Sequence, residues 1–303
     1  MMDFKSKIFL IYGPTASGKS EFAIKLAKKI NGEIINADSM QIYKELKILS
    51  ARPYKKDFQN IKHHLYGFLS VKKNFSTGDW LKLIDKKIVD LRKKKKIPIL
   101  VGGTGLYFKS LTEGLMNIPN IPIQFRKKIR SLHLKLGQKK FFSKLVKLDP
   151  LVAKKINSSD TQRSIRAYEV KLFTKKSMYE WFKNTKSNYE KTDFYKIYID
   201  FPRKDLVKKI ETRANQMVKS GAIQEVKKFL KLRVSKNKSA SKAIGINEVR
   251  EYLAEKIKKE EVIEKISIKT RQYAKRQSTW GRGHMQEWNK MNPNSLDKFL
   301  KKF

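Results

Sequence analysis

A chain of 303 residues with 40% hydrophobic content has the apolar material for one large core, or for one core carrying an inserted subdomain, and is not composed like a disordered protein. The absence of cysteine excludes disulfides and thiolate zinc sites and suits a reducing compartment. The formal net charge of +42 exceeds what solubility needs; it reads either as a polyanion partner, nucleic acid foremost, or as compositional drift toward solvated lysine.

The first element is Lys7-Ile8-Phe9-Leu10-Ile11-Tyr12, an apolar run of strand length so near the first residue that no signal peptide is expected ahead of it. Directly behind it stands Gly13-Pro14-Thr15-Ala16-Ser17-Gly18-Lys19-Ser20, which satisfies G-x-x-x-x-G-K-[ST]. Glu21 to Ile30 then has helical spacing in Phe22, Ala23, Leu26, Ala27 and Ile30. Strand, loop and helix in that order predict a loop whose backbone N–H groups wrap a diphosphate. Gly13 and Gly18 allow the tight path, Lys19 sets a point charge on the phosphate oxygens, and the Ser20 hydroxyl ligates Mg²⁺. The helix N-terminus adds its partial positive charge. Which phosphate compound fills the loop is open at this point.

Residues 33–37 predict a second strand ending at Asp38-Ser39, and 62–68 a short edge strand. His63-His64 has no acidic or histidine partner at metal spacing and reads as a loop pair. Helical spacing covers Trp80 to Lys94, and the basic run Arg92–Lys96 reads as a solvated helix end. The continuous apolar run 97–101 fits a parallel strand buried on both faces. Many P-loop proteins carry a Mg²⁺-holding acid after such a strand. Here it ends in Gly102-Gly103-Thr104-Gly105, and Asp38 is the carboxylate at a strand end near the loop. Asp38 reads equally as a site group or as a turn acid. The glycine turn is either a place where backbone approaches a ligand or a tight strand exit.

Strands alternating with helices predict a doubly wound α/β core of P-loop NTPase type with a parallel sheet. From about Gly114 the pattern changes: 117–122 is a Pro-containing connector, and Lys127 to Lys176 is almost all helical periodicity, with no convincing strand. Strand character returns at Tyr195–Asp200. Helices follow over 205–220 (closed by Gly221), 223–232, 242–253 and 261–280, with a last strand at Met285–Trp288. The division expected is 1–113 with 195–303 for the core and its C-terminal helices, and 114–194 for an all-helical insertion. Arg163 and Arg166 share one helix face, as do Arg271 with Lys275 and Gln272 with Arg276; such faces suit RNA phosphates or internal ion pairs to acids such as Glu264. No apolar run approaches the roughly 18 residues a membrane span needs, so a soluble, cytoplasmic protein without a membrane partner is expected.

Together these segments resemble the tRNA dimethylallyltransferase (isopentenyl-tRNA transferase) family over nearly the whole chain. Gly13–Ser20 is followed by Asp38-Ser39-Met40-Gln41-Ile42-Tyr43, Ala51-Arg52-Pro53, His63-His64-Leu65 and Gly102-Gly103-Thr104-Gly105-Leu106-Tyr107. Gln162-Arg163, Arg166-Ala167, Ala243-Ile244-Gly245 and Thr270–Gln277 before Trp280 complete the set. Ordinary P-loop kinases share only the first of these, so an ATP-dependent small-molecule kinase is the alternative. The resemblance implies transfer of a dimethylallyl group from dimethylallyl diphosphate to the exocyclic N6 of the adenosine immediately 3′ of the anticodon. Gly13, Pro14, Thr15, Ala16, Ser17, Gly18, Lys19 and Ser20 would hold the diphosphate with Mg²⁺ at Ser20. Asp38 would be the general base, with Thr104 helping to position the adenine. The anticodon stem-loop would meet Asp38, Ser39, Met40, Gln41, Thr104, Arg126, Gln162, Arg163, Ser164, Ile165 and Arg166, with the target base flipped from its stack. A monomer is the implied state. Asn247 with Glu248, Thr161 and Lys242 depart from the family pattern. With no cysteine the chain lacks the zinc finger of eukaryotic members and resembles the bacterial form.

Overall fold

The computed structural model describes residues 4–183 and 185–303. In chain order its elements are β1 (Ile8–Tyr12), α1 (Lys19–Ile30), β2 (Gly32–Asn36), β3 (His63–His64), α2 (Thr77–Lys93), β4 (Ile97–Gly102) and α3 (Gly105–Glu113). Then come α4 (Ile123–Leu148), α5 (Thr161–Thr174) and α6 (Met178–Lys183). The chain returns through β5 (Phe194–Ile199), α7 (Arg203–Lys219), α8 (Ala222–Lys231), α9 (Ile246–Leu253), α10 (Lys259–His284), β6 (Asn289–Met291) and α11 (Pro293–Leu300). The chain divides into two compact units, one of residues 4–112 with Tyr189–Phe303, the other Glu113–Asn188.

In the first unit six strands form one parallel sheet in the order β3-β2-β4-β1-β5-β6. β1 is buried along its whole length, and its alternation assigns side chains to two cores. Ile8, Leu10 and Tyr12 pack with Trp80, Ile84 and Ile88 of α2 and with Tyr107, Phe108 and Leu111 of α3. Phe9 and Ile11 pack with α1 and with Leu296, Phe299 and Leu300 of α11. Helices therefore cover both faces, the doubly wound α/β arrangement the sequence predicts. Tyr12 stands beside Gly102, and Asn36 beside Val101, so β1, β2 and β4 end together and release their loops along one edge. A third core joins residues 42–49 to α7, α8, α9 and α10.

Two expected elements shift, and one helix is added. The edge strand keeps only His63–His64, because Leu65 (φ 62°) and Gly67 (φ 55°) turn the backbone out of the extended region. Met285–Trp288 is not a strand. Met285 closes α10, Trp288 is buried against Tyr12 and Phe108, and pairing to β5 begins at Asn289. The last helix, α11, lies beyond the predicted elements; Asn292 caps it, accepting from Ser295 N at 2.9 Å, with Pro293 at its first position.

The second unit is helical, with α4 and α5 around a core of Ile129, Phe141, Leu145, Val152, Ala167 and Tyr168. Gly137 (φ 71°) interrupts α4, a conformation that any other residue would adopt only under strain. Asp160 caps α5 by accepting from Arg163 N at 3.0 Å.

Candidate functional site

The loop after β1 takes two left-handed steps, Ala16 (φ 65°) and Gly18 (φ 79°), before α1 begins at Lys19. Alternating handedness curls successive N–H groups inward, the geometry that receives phosphate oxygens. Ser17 is buried and its hydroxyl has no partner among the described residues, which costs free energy unless a ligand supplies one. Lys19 Nζ donates to Pro14 O at 3.2 Å. Burial drives the Lys19 ammonium down from 10.5 to about 8, with Asp38 opposing the fall and Arg213 deepening it. Arg213, from α7, brings NH1 within 3.3 Å of Thr15 Oγ1 and is itself lowered by burial. Two cations thus stand at the loop with an oxygen of the loop as the bonded partner of each.

Gln277 of α10 ties this loop to the glycine turn. Its Oε1 accepts from Thr15 N at 2.8 Å, its Nε2 donates to Gly103 O at 2.8 Å, and its own carbonyl accepts from Tyr12 OH at 2.7 Å. A Cβ on Gly103 would lie 2.0 Å from Nε2, and one on Gly102 would lie 2.0 Å from Ala37 O. The glycine turn is thus a place of close approach between protein segments.

Asp38 leaves β2 through a tight clamp. Buried Asn36 donates to Asp38 O at 2.9 Å and to Leu65 O at 3.1 Å, and accepts from Asp38 N at 2.9 Å. Trp80 Nε1 donates to Asn36 O at 3.1 Å and stacks on Tyr107, fixing the strand end from below. Asp38 Oδ1 accepts from Met40 N at 2.8 Å and from Gln41 N at 3.4 Å, while no described residue donates to Oδ2. One oxygen is thus the turn acid of the sequence reading, and the other has no donor among the described residues. Thr104 Oγ1 accepts from Ser39 N at 3.0 Å and donates to Ser39 Oγ at 3.3 Å. Gln41 Nε2 donates to Ser50 O and Ala51 O, and Met40 packs on the third core. Tyr66, Tyr107 and Tyr273 are pushed up, first by burial and then by the Asp38 charge, so neutral phenols wall this carboxylate.

Within the helical unit Arg126 and Arg166 meet on Glu169, at 3.2 and 3.4 Å. Arg163 is exposed and lies 3.2 Å from Asp160, and Gln162 is exposed beside it. Ile165 is half-buried on the core. Ser164 is fully buried, donating to Asp160 O at 2.7 Å and accepting from Gln138 Nε2 at 3.2 Å, so its hydroxyl is withdrawn from the surface. Of the α10 residues, Arg271 pairs with Glu211 at 3.4 Å and Arg276 lies over the Tyr273 ring.

His64 does have an acidic partner, which spacing concealed: Nε2 lies 2.7 Å from Oε2 of buried Glu33 on the adjacent strand. His63 stacks on Phe58, and burial lowers it. Among the described residues no cluster of three His, Cys, Asp or Glu stands ready for a metal. Arg213 and Gln277 are the residues that sequence reasoning left without a role. Gln277 lies inside a motif quoted for the resemblance, whereas nothing in its spacing marks Arg213.

These features define the class: a parallel α/β protein with a P-loop-type turn where β1 ends and a carboxylate whose charge reaches that turn. A family model described as IPP transferase matches residues 41–284, and the chain belongs to that family. It is 60% identical over 301 residues to a tRNA dimethylallyltransferase of Pelagibacter ubique, covering 99% of this chain and 96% of that one. It is 44% identical over 284 residues to a Rickettsia massiliae protein of the same name, covering 93% and 78%. Among solved structures, a tRNA delta(2)-isopentenylpyrophosphate transferase of Staphylococcus epidermidis matches with a TM-score of 0.68 and 33% identity, over 97% of this chain and 96% of that one. A eukaryotic dimethylallyltransferase acting on tRNA matches with a TM-score of 0.83 and 27% identity, over 97% and 75%.

Proposed function

We infer that this chain is a tRNA dimethylallyltransferase: it transfers a dimethylallyl group from dimethylallyl diphosphate to N6 of the adenosine immediately 3′ of the anticodon. The observation that carries the chemistry is Asp38, whose Oδ2 has no donor among the described residues and whose charge reaches Lys19 in the phosphate loop. In this reading the bond from the allylic carbon to the diphosphate oxygen breaks as the bond to N6 forms. Asp38 takes the proton that N6 gives up. The loop amides, Lys19, the Ser17 hydroxyl and Arg213 hold the departing diphosphate, where negative charge grows in the transition state. An amine conjugated to a purine is a weak nucleophile, so Thr104 and Ser39 matter by fixing the turn that aims Asp38.

Mg²⁺ fits this donor set. The Ser20 hydroxyl is exposed and no described residue bonds to it, and Mg²⁺ ordinarily takes few protein ligands, with water and substrate phosphates filling the rest. When bound it would neutralise charge on the leaving diphosphate. Arg126, Gln162, Arg163 and Arg166 of the helical unit are the proposed contacts to the tRNA backbone, in keeping with the net charge of +42. Ile165 and the backbone at Ser164 complete that segment, and Ser39, Met40, Gln41 and Thr104 belong to the adenosine side. No described helix is long and apolar enough to cross a membrane, and work on tRNA by a monomer in the cytoplasm completes the proposal.

The relatives are prenyltransferases, so the kinase alternative is not favoured. Incubation with labelled dimethylallyl diphosphate and an unmodified tRNA transcript tests the assignment. Label in the RNA is the expected result; ATP consumed with the RNA unlabelled would overturn it.

A further inference from the structure

Glu169 lies on α5 inside the helical unit, only 1% exposed, and three guanidiniums close on it. Arg126 Nε and Arg166 NH1 reach Oε2 at 3.2 and 3.4 Å, and Arg130 Nε approaches Oε1 at 3.7 Å. Arg126 and Arg130 stand one turn apart on α4, and Arg166 stands one turn before Glu169 on α5. The arginine side chains are 40%, 56% and 38% exposed. A buried pair that only stabilises a core needs one base for its acid. Three bases on one carboxylate leave a net charge of +2 on a half-exposed surface. Each guanidinium carries five N–H donors, and Glu169 occupies few of them. The remainder suit a planar, multiply accepting anion such as a phosphodiester.

We propose that Glu169 is a positioning residue for RNA binding: it gathers Arg126, Arg130 and Arg166 into one fork that grips backbone phosphates. The proposal rests on the tRNA reading above and adds Glu169 and Arg130 to it. An acid near an RNA surface repels the RNA through space. Its place here is explained because it relieves repulsion among three guanidiniums and removes rotamer freedom they would otherwise lose on binding.

The two effects predict opposite signs, which makes the test direct. Wild type, Glu169→Gln and Arg130→Gln are compared for affinity to an unmodified tRNA transcript between about 50 and 200 mM salt, with thermal melting alongside. Glu169→Gln adds one positive charge, yet the fork predicts binding weaker by roughly tenfold and a salt slope shallower by about 2. Arg130→Gln should lower the slope by about 1. Tighter binding with a steeper slope in Glu169→Gln, as the field alone demands, would overturn the proposal. So would an unaltered slope in Arg130→Gln, a surface substitution that carries the test if Glu169→Gln fails to fold. Prenyl transfer by the wild type, read on the same preparation, tests the underlying assignment separately.

Discussion

Lys19 and Arg213 are bonded to a carbonyl and a hydroxyl of the phosphate loop, whereas Arg126, Arg130 and Arg166 share a buried carboxylate. In the first unit Lys19 has no bonded carboxylate, and its burial outweighs the more distant charge of Asp38, so its fall to about 8 registers a net cost. An anion placed there would offset that cost, which favours one ligand in one position. In the helical unit each charge is partly satisfied and partly wet. An incoming phosphate gains less per contact but is met by several donors, which suits a long, flexible polyanion. On the proposed reading the same residue types would serve a point site and a surface, and what separates them is whether a carboxylate is already bonded to the cation.

That contrast breaks most visibly at Lys19. Replacing it with alanine should cost about two to three orders of magnitude in kcat/KM for the prenyl donor, because the only charge on the loop itself is lost. Measured diphosphate affinity equal to wild type would dissolve the point site. Asp38→Ala should lower turnover by roughly a hundredfold while tRNA still binds, read by single-turnover labelling beside a binding titration. Full turnover in that variant would remove Asp38 from the chemistry.

A pH titration sharpens the comparison without mutation. In the free protein Lys19 loses its proton above about 8, and a bound diphosphate restores it toward 10.5. Binding therefore takes up a proton in that window. Affinity should be flat below pH 8 and fall by up to about tenfold per unit above it, followed by calorimetry with a non-hydrolysable prenyl diphosphate. Affinity that rises with pH would mean Lys19 is not the group engaged. The smallest effect belongs to Arg163→Gln. This exposed side chain should change the salt slope of tRNA binding by about 1 and leave the melting temperature in place. A slope equal to wild type would return Arg163 to its local partner Asp160.

Residues close in sequence were the legible part. The strand, glycine loop and helix at 8–30 are readable because their geometry is local, and Asp38 because a strand end is marked by the turn behind it. Partners that meet only in three dimensions were not. Arg213 reaches Thr15 across 198 positions, Gln277 across 262, and Glu33 finds His64 across 31. Spacing rules report on neighbours within one helical turn or one strand pair, so they cannot see these bonds. β6 shows the same limit from the other side. Met285 and Trp288 have the apolar character of a strand, but Trp288 is drawn into the core, and pairing passes to the exposed Asn289 and Lys290.

The Gln277 amide has a consequence for how the P-loop signature is to be regarded. The floor under Thr15 is supplied by α10, the last helix but one, through a gap at Gly103 that exists only because nothing projects from that position. A fragment bearing residues 1–112 would carry the whole fingerprint and still lack its support. The motif is thus a property of the folded chain's two distant ends together, and shortening the C-terminus should disable catalysis from far outside the sequence that names it.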